Sequence, residues 1–193
     1  MATTSQPGAG ATPFQSIAAK EATIGNETVT TSTIQNLTVS NTLTRNNITF
    51  QYPFRTGTEG ATGGFDDAND TGTATVPASQ TGSTFCVPIT GLKQGDILQS
   101  FFLSGQLESA GNTATIDVSL RATTAAAADL TDASVQAMTQ VSKTADYLVA
   151  ETTNVAGGHT VIAGESLYFL VTVTTAANTD VDLQYISLTV NQV

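Results

Sequence analysis

The amino-acid sequence predicts an all-β protein: an N-terminal extended arm with short β-repeats, followed by a C-terminal antiparallel β-sandwich that is jelly-roll-like. Three observations carry this. From about residue 84 apolar and polar residues alternate, most cleanly in Thr113-Ala114-Thr115-Ile116-Asp117-Val118-Ser119-Leu120-Arg121. There Ile116, Val118 and Leu120 face one way, and Thr115, Asp117, Ser119 and Arg121 the other. Turn residues divide the runs: Gly91 and Gly95, Gly105, Gly111-Asn112, Gly157-Gly158, Gly164 and Asn178. Strands parted by turns every 8–12 residues or so are the pattern of a sandwich or jelly roll. Finally, only 11% of residues are charged, against roughly 25% in an ordinary domain. Thr, Ala, Ser, Asn, Gln and Gly take their place, and Thr and Val suit a pleated, half-buried surface.

Residues 1–22 are small and polar with Gly and Pro, the composition of an extended arm. Residues 23–50 hold an internal repeat. Thr23-Ile24-Gly25-Asn26-Glu27-Thr28-Val29-Thr30 recurs as Thr33-Ile34-Gln35-Asn36-Leu37-Thr38-Val39-Ser40, with a degraded third copy at 42–49. Its apolar residues Ile24, Val29, Ile34, Val39, Leu43 and Ile48 stand mostly five apart, which fits neither a helix nor a long strand. Short β segments joined by tight turns fit better. So few inward side chains cannot fill a core alone. Either the segment packs on its own domain, or copies wrapped around an axis bury these residues together with Phe50, which makes the seven the expected oligomer and partner interface.

Residues 51–83 read as a Gly/Thr/Asp-rich linker loop, and the domain boundary is placed there. The β-sandwich domain then occupies 84–193, with strands expected at 84–90, 96–107, 113–122, 136–142, 145–151, 158–163, 166–175 and 180–191. The Ala-rich piece 122–138 leaves a short helix open.

Charge narrows the partners. The net charge is −10, and the six basic residues Lys20, Arg45, Arg55, Lys93, Arg121 and Lys143 are scattered. No row of phosphates could be matched, so no nucleic acid is expected as a partner. No membrane is expected either: anionic surfaces repel the chain, and no apolar run approaches the ~20 residues of a span. The N-terminus lacks the basic start and apolar stretch of a secretory signal, so a product made in the cytoplasm is expected. A surface poor in charge suits contact with copies of the same chain, because little charge must be desolvated.

Residues able to do chemistry are few, and no enzyme is expected. His159 is the single histidine, and no Gly-x-Ser-x-Gly elbow accompanies it. Cys86 is the single cysteine, without a basic neighbour; a small buried apolar side chain is the simpler reading. Asp66, Asp67, Asn69 and Asp70 before Gly72 have the oxygen donors of a calcium loop, but Ala78 stands where its bidentate Glu belongs, so a solvated acidic turn is expected. Asp180 and Asp182 share a strand face, yet Trp is absent, which speaks against glycoside hydrolysis. Passive sugar binding by the sandwich stays open. No metal and no cofactor are expected. Asn-x-Thr triplets at Asn26, Asn36, Asn47 and Asn69 follow from Asn/Thr richness.

Gly95-Asp96-Ile97-Leu98 and Val161-Ile162-Ala163-Gly164-Glu165-Ser166-Leu167-Tyr168-Phe169-Leu170-Val171 each place a Gly-Asp/Glu turn before a strand. With the repeats at 23–49, the chain resembles head-decoration or cement proteins of tailed phages, including cyanophages, and fibre-type virion proteins. The resemblance implies a virion structural protein on the capsid surface, a homotrimer with the major capsid protein as its other partner. The alternative is a tail-fibre or receptor- or carbohydrate-binding adhesin module.

Overall fold

The computed structural model describes residues 45–54, 73–126 and 129–192. The arm, the repeat residues Ile24, Val29, Ile34, Val39 and Leu43, and the acidic loop 66–72 lie outside them. Eight strands occupy most of the rest: β1 Arg45–Pro53, β2 Ala74–Val76, β3 Ser83–Pro88, β4 Ile97–Ala126, β5 Asp129–Ala137, β6 Val141–Thr160, β7 Glu165–Thr174 and β8 Thr179–Gln192. Every pairing is antiparallel.

The 30-residue β4 organises the molecule. Its first part pairs with β8, from Ile97↔Asn191 to Ser109↔Thr179, and on its other side with β6. Its second part pairs with β7, from Thr115↔Thr174 to Thr124↔Glu165, and on its other side with β5. Were β4 straight, Phe101 and Leu120 would stand about 60 Å apart at ~3.3 Å per residue. Yet the ring of Phe169, directly opposite Leu120, lies 5.3 Å from that of Phe101. The strand therefore doubles over between the two parts. Gly111, at φ 94°, takes the left-handed backbone that this bend requires. The neighbouring run bends beside it between β7 and β8, where Asn178 has φ 58°. The two bends are tied together: Ala110 N donates to Asn178 O at 3.3 Å, and Asn112 Nδ2 to Ala177 O at 2.7 Å.

Two sheets result. The first runs β1, β8, residues 97–110 of β4, and β6; the second runs β3, β7, residues 115–126 of β4, and β5, with residues 141–143 of β6 alongside 114–116. A long antiparallel hairpin rolled over on itself in this order is a jelly roll, as the sequence pattern predicts. Between the sheets lies one core. Leu98, Phe101, Leu103 and Leu107 meet Phe85, Ile116, Leu120, Phe169, Val171 and Val173, with Leu183, Ile186, Leu188 and Val190 of β8. Each large apolar side chain so buried contributes about 1.5–3 kcal/mol.

Several boundaries differ from expectation. The strands anticipated at 96–107 and 113–122 are one strand, because the chain stays extended through the Gly111 bend. Those at 145–151 and 158–163 are both part of β6, which ends at Thr160. Residues 122–138 form no helix where they are described; they close the β4–β5 hairpin, in which Thr124 faces Thr131 and Ala122 faces Ala133. The sheet also reaches upstream of residue 84: β1, inside the repeat and linker, pairs with β8 from Arg45↔Gln192 to Pro53↔Tyr185, and β2 pairs with Leu183–Val181. Phe54 is buried with its ring 6.2 Å from that of Phe85.

Candidate functional site

The outer face of the first sheet is built around a bulge. Along β8, Val181 and Leu183 point inward, and so do Ile186, Leu188 and Val190, which breaks the two-residue period once. Ser104 pairs with Tyr185 and Gly105 with Leu183, so Gln184 is the extra residue. A bulge of this kind re-aims side chains, and here Gln184 and Tyr185 both face outward. Opposite it, only glycine fits at position 105, since a Cβ there would collide with the carbonyl oxygen of Asp182. Phe102 shares the outward face, with its ring 6.0 Å from that of Tyr185 and inclined 40°.

Polar groups continue along the same face from this half-buried aromatic pair. Ser104 Oγ donates to Gln184 Oε1 at 2.9 Å, Gln106 Nε2 donates to Glu108 Oε1 at 2.7 Å, and Thr75 Oγ1 donates to Asp182 Oδ1. Ser104, Gln106, Asp182 and Gln184 line a groove of about 300 Å³, with Leu148, 73% exposed, on its wall. Burial, and then the charge of Asp182, pushes the Asp180 carboxyl above its usual range.

A second concavity, of about 350 Å³, opens where the β4–β5 hairpin overhangs the sandwich. Ala122 and Thr124 lie on the inner side of the hairpin, and their cross-strand partners Ala133 and Thr131 share that side, yet β5 is exposed almost throughout. Facing them is a stretch where β6 leaves its ladder: Ser100 pairs with Asn154 and Leu98 with His159, so residues 155–158 arch out. Gly158, at φ 72°, lies so close to Ile97 Cγ2 that a Cβ would come within 2.9 Å of it. Gln136 Oε1 holds the arch by accepting from Ala156 N at 3.2 Å. Beneath it, His159 Nε2 meets Glu165 Oε1 at 2.9 Å, and Glu165 Oε2 accepts from Ile162 N at 3.2 Å; the Glu165 side chain is only 2% exposed.

On the outer face of the second sheet, Arg121 on β4 grips Asp132 on β5 through Nε and Nη2 at 3.0 and 2.6 Å, and Tyr168 Oη on β7 donates to Asp132 Oδ1 at 2.8 Å. Arg121 and then Tyr168 hold the Asp132 carboxyl below its usual range. These groups are spent on one another and strap three strands together. Cys86, half-buried on β3, has its thiol pushed up by burial and then by the charge of Asp132, which lowers the thiolate fraction that a nucleophile needs.

Of the seven residues expected at an oligomer interface, two are described. Ile48 pairs with Val190 and Phe50 with Leu188, and Phe50 packs partly buried against the core of its own chain, beside Tyr52, whose hydroxyl donates to Thr90 O at 2.9 Å. The other five lie outside the described residues. Among the described residues no group of three or more His, Cys, Asp or Glu is placed to hold a metal ion. Phe102 and Tyr185 went unnoticed in the sequence, although the pair Phe101-Phe102 in a strand already requires one ring to face outward.

No protein-family model matches the chain, and no curated protein does. Thirteen chains of solved structures show likeness, three of them as follows. The CBM36-1 domain of a multidomain xylanase from the hindgut metagenome of Trinervitermes trinervoides is 15% identical, over 73% of this chain and 96% of that one, with a TM-score of 0.41. A structure described as "CBM4 structure and function" is 15% identical over 75% and 86%, with a TM-score of 0.33. The enzymatically active domain of tailspike protein 4 of bacteriophage CBA120 is 14% identical over 72% of this chain and 19% of that one, with a TM-score of 0.32.

Proposed function

We propose that this chain is a non-enzymatic recognition module, a fibre- or adhesin-type virion protein whose jelly roll binds surface glycans on the outer face of its first sheet. One observation carries the reading: the bulge at Gln184 sets Phe102 and Tyr185 side by side on an outward face, and Gln184 also borders a groove lined by Gln106 and Asp182 further along that face. A sugar offers an apolar C–H face and a rim of hydroxyls. Aromatic rings take the first, and side-chain amides and carboxylates take the second. The net charge of −10 favours neutral glycans over acidic ones. The sequence repeat at 23–49, of the kind the resemblance to fibre-type virion proteins rests on, supports the virion setting.

Glycan-array screening of the intact protein tests this. A defined set of neutral glycans is expected to bind, and Phe102→Ala and Tyr185→Ala are each expected to weaken binding about tenfold, near 1.4 kcal/mol. An empty array, or binding that neither variant affects, overturns the reading.

The capsid-decoration reading has one specific support. Leu130 and Leu148, 74% and 73% exposed, stand on β5 and β6, strands that pair only with β4 among the described residues. Apolar side chains on such edges suit a homotrimer contact or a bed on the major capsid protein. Labelling intact particles separates the two readings, since signal on heads favours decoration and signal on tails favours the adhesin.

A further inference from the structure

We propose that the cleft beneath the β4–β5 hairpin is a second binding site, built for the acetamido group of an N-acetylated sugar. It stands apart from the sheet-face reading, because none of its residues lies on that face. At about 350 Å³ the cleft is near the lower end of small-molecule sites, which run from about 300 to 1,000 Å³. It has room for one sugar ring.

Its lining matches the three parts of an acetamido group. The apolar wall is made of single methyls and two small branched side chains, Ala122, Ala133, Ala156, Val135 and Val155, an apolar bed for a methyl. Hydroxyls of Thr124 and Thr131, cross-strand partners on the inner side of the hairpin, supply donors for a carbonyl oxygen. Only His159 supplies a ring nitrogen. Its Nε2 is bonded to Glu165 and Ile162 N occupies the other carboxylate oxygen, which leaves Nδ1 as the ring nitrogen for a ligand's amide group. With both Glu165 oxygens engaged and its side chain buried, the carboxylate orients the imidazole and does not call for a cationic ligand. A net charge of −10 disfavours an anionic one. A neutral group that joins a methyl, a donor N–H and an acceptor C=O satisfies all of these at once.

Saturation-transfer NMR on the full chain with N-acetylglucosamine, N-acetylgalactosamine and glucose tests the proposal. Both N-acetylated sugars are expected to bind with their strongest transfer at the acetamido methyl, and glucose at least tenfold more weakly. Ala133→Leu fills the recess at an exposed position and is expected to abolish this binding with an unchanged thermal midpoint; Thr131→Val is expected to weaken it several-fold. Phe102→Ala is expected to leave it intact while impairing sheet-face binding, which separates failure of one site from failure of the other. Equal transfer to glucose, full retention of binding in Ala133→Leu, or no binding of either N-acetylated sugar overturns the proposal.

Discussion

Asp180 and Asp182 show how one surface carboxylate can act against the fold that carries it. Burial, and then the charge of Asp182, raises the pKa of Asp180. A carboxyl whose folded pKa lies above its unfolded value adds stability below the unfolded pKa and loses it as pH rises through the folded one. At neutral pH the Asp180 charge therefore opposes folding. Asp180→Asn is expected to melt at a higher temperature than the native chain at pH 7, with the gap closing as pH falls through the carboxylate range. Melting curves of the two proteins across pH check this, and a variant that melts lower at pH 7 contradicts it. Asp132 has the opposite sign, since its pKa is lowered by Arg121 and Tyr168, and its contribution is lost as pH falls through that lowered value. It is exposed, so water and salt screen most of that contribution.

Among the elements, the long strands were the least legible in sequence. Alternation marked β7, β8 and the second part of β4 because each buries one face against the core. It could not mark β5, where both faces are largely solvated and no side chain is forced to be apolar. Nor could it show that Gly111 bends a strand instead of ending one, since a turn signal and a bend signal are the same residue. β1 was hidden in a repeat whose five-residue spacing masked its pairing with β8. The sheet-face site was obscured for a related reason: a bulge resets the two-residue period, and a bulge depends on its partner strand as much as on its own sequence. Gly105 is that partner. Adding one methyl, Gly105→Ala, is expected to drive Cβ against the Asp182 carbonyl and destabilise the protein by about 1–3 kcal/mol. Urea unfolding measures the loss, and Gly82→Ala, with no atom near its Cβ but φ +64°, shows how much backbone strain alone would cost.

For the molecule as a whole, first and last strands depend on each other. β1 closes the outer side of β8, while Phe50, Tyr52 and Phe54 cover the core. A chain begun at residue 41 keeps that strand and one begun at residue 55 lacks it. The longer is expected to unfold cooperatively; the shorter is expected to lose more than about 5 kcal/mol, within reach of the entire stability of a domain. Denaturant titration of both distinguishes this from an expendable β1, in which the two curves would coincide. The same adjacency governs how the sandwich would bear load. Arg45 sits opposite Gln192, so tension between those two points would open the β1–β8 ladder rung by rung, as a zipper parts, and not shear all its bonds together. A tether at that end alone would leave the remainder hanging as a pendant, with the ladder unstressed.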